Sequence, residues 1–120
     1  MADNEARRWS RIAEQVRAGE LYLDNEAVAR NCLLACAQRI ADLESMLRLA
    51  DRTMNVSGFG DFDMAGKLQG KFASQGTDID SVIREDMEVV EDMQEVMRLS
   101  LSRVLGVDVD NAGNIRGLAD

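Results

Sequence analysis

Apolar residues recur along this chain at intervals of three and four, the spacing that gathers side chains onto one face of an α-helix. Trp9, Ile12, Ala13 and Val16 follow it first and predict a short amphipathic helix over about residues 5–18, before Gly19 interrupts the pattern. Asp24 is placed to cap a second helix over about 25–53, with Glu26 in the first turn where the helix dipole favours a carboxylate. Its seam runs through Leu33, Cys36, Ile40, Leu43, Leu47, Ala50 and Met54. The segment NVSGFGDFD, with Asn, Ser and the glycines Gly58 and Gly60 around Phe59, predicts a turn over about 55–62, and Asp61 or Asp63 can cap the next helix. This return helix, about 63–105, carries Leu68 and Phe72 and weakens around Ser74 to Thr77, where Gly76 suggests a kink. It resumes through Ile79, Val82, Ile83, Val89, Val90, Met93, Val96, Met97, Leu101 and Val104. Residues 106–120 have no period and read as a flexible tail.

At ~100° per residue the apolar positions of the return helix cover about half its circumference, more than one neighbouring helix would bury. The expected fold is therefore all-α: an antiparallel helical hairpin with a short N-terminal amphipathic helix, a single domain over residues 1–105. Dimerisation would complete it to a four-helix bundle, unless the helix around Trp9 folds back over part of the surplus.

Composition agrees with helices. Proline is absent, aromatic residues make up 4% and apolar residues 46%. The formal net charge of −8 repels nucleic-acid phosphates. The densest basic cluster, Arg7, Arg8 and Arg11, is flanked by Asp3, Glu5 and Glu14 and reads as a solvated face. No stretch approaches the roughly 20 apolar residues that span a bilayer, and the N-terminus lacks the apolar run of a secretory signal. Cys32 and Cys36, one helical turn apart, read as reduced core thiols.

The chain contains no histidine, which removes Ser-His-Asp and Cys-His catalysis and His-ligated metal sites. Carboxylates are plentiful: Asp78, Asp80, Glu85, Asp86, Glu88, Glu91, Asp92 and Glu95 stand against Arg84 alone. Glu85, Glu88 and Asp92 share a helical stripe that could bind Mg²⁺ for nucleotide hydrolysis, but a metal cage needs ligands from another helix, and a solvated acidic face is the preferred reading. Asp86 falls within the apolar arc and is expected to pair with an arginine across an interface or to sit at a wet gap. Asp108, Asp110, Gly113 and Ile115 match the start of a calcium loop, but Ala112 and Ala119 occupy two ligand places, so a turn is the better account. Met46, Met54, Met87, Met93 and Met97 read as core or interface, and Trp9 as the anchor of the first helix.

The turn SGFGDF, the following LQGKF and the helix IREDMEVVEDMQEVM, in an acidic chain of this size, resemble the WXG-type helical-hairpin proteins of type VII (ESX) secretion. The resemblance spans roughly Asp24 to Leu105. It implies hairpins that pair as homo- or heterodimers into a four-helix bundle, in agreement with the wide apolar face. The W-x-G signature itself is missing; if Phe59 replaces the tryptophan, the resemblance implies that it wedges into the bundle end. The export signal of that family, a tyrosine followed four places later by an acidic residue, has only the pair Tyr22 and Glu26 ahead of the second helix, a chance match.

The expected function is a non-catalytic protein-protein interaction module, without cofactor or metal, that dimerises through Leu33, Ile40, Leu43 and Leu47 with Val82, Asp86, Val89, Met93 and Met97. Its partner is expected to be itself or a related hairpin, with the secretion machinery or a chaperone as further contacts. The expected location is the cytoplasm, or outside it after export without a cleavable signal peptide. The alternatives are a cytoplasmic helical adaptor or regulator that is never exported and, less favoured, a Mg²⁺-dependent nucleotide hydrolase on the acidic helix 78–95.

Overall fold

The computed structural model describes residues 2–55, 58, 60 and 64–116, residues 2–6 as backbone only. Helices α1 (Ala2–Arg17), α2 (Glu26–Met54) and α3 (Ala65–Leu105) make the protein all-helical. At ~1.5 Å per residue, the 41 residues of α3 span about 60 Å and set the longest dimension of a molecule 66 × 36 × 19 Å.

Local chemistry fixes the helix ends. The N-cap of α2 is Asn25, one residue beyond the expected Asp24: its backbone is extended and its side chain accepts a hydrogen bond from the Val28 N–H at 3.0 Å. The last turn of α2 is closed by Asn55, whose side chain donates to the Asp51 carbonyl at 2.9 Å. Gly106 ends α3 in the left-handed conformation, φ 72°, and donates its N–H to the Ser102 carbonyl at 2.8 Å.

α2 and α3 pack along each other in opposite directions, since Leu33 meets Leu101 near one end and Ala50 meets Gly76 near the other. Between these points Cys36, Leu43, Ala50, Ile83 and Val90 form the main core, flanked by Ile40, Leu47, Met87 and Met93. Each fully buried leucine, Leu33, Leu43 and Leu101, contributes roughly 1.5–3 kcal/mol relative to an exposed one.

Where the sequence pattern weakens and a kink is expected, α3 runs unbroken through Gly76. A Cβ there would lie 2.7 Å from the Met54 backbone nitrogen and 3.0 Å from the Ala50 carbonyl oxygen, so glycine serves the close crossing of two helices.

Among the described residues α1 packs on α3 alone. Ala13 and Val16 pack with Val96, and Trp9, Ile12, Met97 and Leu99 surround them. Arg17 Nε bonds Glu95 Oε1 at 2.6 Å. The connection to α2 is pinned as well: Leu23 N–H donates to the fully buried Ser100 Oγ at 2.9 Å, and the Arg103 guanidinium lies 4.5 Å from the Tyr22 ring centre.

The segment expected to be a flexible tail is folded over its described part, residues 107–116. Val109 is fully buried against Ala29, Leu33 and Leu101 and pairs with Ile115 in an antiparallel bridge. The turn between them is built by Asp110, whose Oδ1 accepts from the Ala112 and Asn114 N–H groups, each at 2.9 Å. Arg30 Nη1 donates to the Gly113 carbonyl at 3.0 Å and ties this turn to α2. One apolar anchor and a side-chain-built turn leave no periodicity in the sequence, which is why the segment reads as loose.

Candidate interaction surface

α1 and the 107–116 turn lie against the C-terminal half of α3, opposite the first turns of α2. Among the described residues neither reaches the crossing at Ala50 and Gly76. Between α2 and α3 on that side lies an open groove of about 390 Å³. Leu43, Ala50 and Ile83 form its floor, and they also belong to the main core. Met46, Leu49 and Thr53 of α2 and Ile79 and Val82 of α3 form its walls, with Leu49 59% and Val82 57% exposed. Large aliphatic side chains left this open beside the core mark a surface that gains from being covered.

Arg39 and Asp86 close one end of the groove, Nη2 to Oδ2 3.9 Å, both half-exposed. Asp86 thus meets an arginine, but of its own chain and at the surface, where such a pair contributes no more than about 1 kcal/mol.

Most other residues expected at an interface are used inside the chain. Leu33, Leu43 and Val89 are buried. Ile40, Leu47 and Met93 pack on the main core, and Met97 bridges the Leu33–Leu101 and Val16–Val96 clusters. Of the nine, Val82 lies in the groove wall, Asp86 at its end and Leu43 on its floor. The sequence seam therefore traces the contact of α2 with α3, while the outward surface is a second row, Met46, Leu49 and Thr53, one step around the helix. Its apolar members, Met46 and Leu49, are legible three apart beside the seam. In the turn, Gly58 and Gly60 adopt φ of 87° and 84°, which glycine tolerates, and Phe59 lies outside the described residues.

The acidic stretch of α3 is divided among several tasks. Asp80 holds Arg84 at 2.8 Å, and Glu95 holds Arg17. Asp92 is pushed above the usual carboxylate range, chiefly by burial and then by the Glu95 charge, against the opposing pull of Arg17. Among the described residues no group of three or more Asp, Glu or Cys side chains is placed to hold a metal ion. In the C-terminal turn, the two N–H groups on Asp110 hold its carboxyl below the usual range, and Asp108 faces Arg116 at 3.5 Å and Arg98 at 3.8 Å. The turn carboxylates thus serve internal bonds. Cys32 and Cys36 are free thiols, and burial pushes Cys36 up, with a smaller contribution from Cys32. No helix among the described residues is long and apolar enough to cross a membrane. Comparison of the chain with known protein families, with curated proteins and with solved structures found no match in any of the three.

Proposed function

We propose that this chain is a non-catalytic protein-protein interaction module that binds another protein through the groove between α2 and α3. The observation that carries this reading is the open aliphatic wall of Met46, Leu49, Ile79 and Val82 directly above the buried core. Apolar burial would provide the affinity and the charged ends the choice of partner. The resemblance of the turn and α3 to WXG-type hairpins supports a partner of the same kind, itself or a related hairpin completing a four-helix bundle, and a setting in type VII secretion.

Light scattering on the purified chain at several concentrations and two ionic strengths is the test, repeated with Val82→Asp. A dimer that Val82→Asp dissolves carries the reading with a second copy as partner, since a charge in a covered seam is strongly unfavourable. A monomer moves the partner to a different chain, and co-expression with hairpin proteins encoded nearby should then yield a complex that Val82→Asp disrupts. A monomer that forms no such complex overturns the reading. Recovery of the protein from culture filtrate would separate an exported module from a cytoplasmic adaptor of the same architecture.

A further inference from the structure

Taking the groove as a docking surface, we propose that its occupant is an amphipathic α-helix with Arg- or Lys-bearing flanks, supplied by a protein other than a second copy of this chain. The groove suits a helix in shape. It lies between two antiparallel helices, and its wall on α2 runs from Arg39 to Thr53, about 20 Å or four turns.

The rim of the groove supplies the charge. Asp78, Val82, Glu85 and Asp86 stand three and four apart and share one surface row of α3; Asp42 precedes Met46 by four on α2. Asp78, Glu85 and Asp42 are exposed, and among the described residues none has a cation within ion-pair distance. The cation at the rim, Arg39, is already drawn to Asp86. Lys71 lies two turns beyond Ile79, outside the groove. An aliphatic floor inside an uncompensated acidic rim is complementary to an apolar stripe flanked by cations. A second copy would bring the same acidic rim against this one, on a chain already at −8.

The chain itself contains one docking of this type. α1 presents Ala13 and Val16 to α3 with Trp9 and Ile12 beside them, sets Arg17 on Glu95 at 2.6 Å next to Asp92, and displays Arg7, Arg8 and Arg11. α3 therefore already accepts one amphipathic helix by an apolar stripe and an arginine flank, and the groove repeats those elements nearer the turn.

The test uses two fluorescent peptides of about fourteen residues, enough for four turns, with one leucine face in common and either lysine or glutamate on the flanks. Each is titrated with the full chain by anisotropy, at low and at high salt. The lysine peptide should bind and the glutamate peptide should not. Val82→Ser, at an exposed position and with its fold checked by circular dichroism, should weaken binding about tenfold. The pair Asp78→Asn and Glu85→Gln should weaken it several-fold and remove most of the salt dependence. Glu88→Gln, off the rim, should change nothing. Equal binding of both peptides, or equal losses with Glu88→Gln and Val82→Ser, overturns the proposal. A self-dimer that Val82→Asp dissolves would also overturn it while leaving the interaction-module reading intact, whereas a groove that takes neither peptide, second copy nor hairpin partner removes both.

Discussion

Gly76 and Gly70 sit in the same helix and should respond oppositely to the same substitution. Glycine inside a helix ordinarily costs about 1 kcal/mol relative to alanine, so Gly70→Ala, with nothing within 4 Å of its new methyl group, should stabilise by up to about that much. Gly76→Ala places the methyl group against the α2 backbone and should destabilise by roughly 1–3 kcal/mol, because the two helices must separate. Urea titrations of the two variants should move the midpoint in opposite directions. The sequence singles out Gly76 as a weak point of the helix but cannot show which of the two glycines is required, since the difference lies in Met54 and Ala50, more than twenty residues away. Asp92 supplies a second residue-scale test. Its carboxyl is raised in the folded chain, so the folded state binds the proton more readily than the unfolded state. Its contribution is therefore most favourable below the ordinary carboxylate range and is lost as pH rises through the raised value. Asp92→Asn should raise the thermal midpoint at neutral pH and leave it unchanged near pH 3, well below where a free Asp titrates at about 3.9. The opposite order would mean that Arg17 outweighs burial.

At the scale of elements, α3 is the part of the chain most legible in the sequence. Its half-circumference of apolar residues requires two neighbours, and along its C-terminal half it has them: α2 through Leu101, Met97 and Val90, and α1 through Val96 and Leu99. Nearer the turn it has, among the described residues, α2 alone, and there the same surplus becomes the groove. Periodicity shows how much of a helix must be covered but not which part is covered by which element. The C-terminal segment is illegible for a different reason, because its order comes from Val109, the Asp110 turn and Arg30, none of which repeats. Val109→Ala should cost roughly 1–3 kcal/mol by leaving a cavity beside Leu33 and Leu101. Val109→Asp should release the segment, raising hydrogen exchange at Asp110 and Arg116, whose N–H groups bond within the turn, while most helical circular dichroism persists. Exchange unchanged by Val109→Asp would show that Asp110 and Arg30 hold the turn without it.

On the scale of the whole molecule, α3 is the member that every other element touches: α2 along one side, α1 on another and the C-terminal turn at its base. The Arg17–Glu95 and Leu23–Ser100 bonds join residues 78 and 77 positions apart, and Arg30 reaches Gly113 across 83. During synthesis at about 5–20 residues per second, α1 and the linker after it therefore wait roughly 4–16 s for their binding site to be made. Over that interval Val96, Met97 and Leu99, which Trp9, Ile12 and Val16 pack against in the folded chain, are not yet made, and α2 lacks its seam partner. The first helix therefore spends its earliest seconds without its folded-state partner, open to any other helix that offers an apolar stripe.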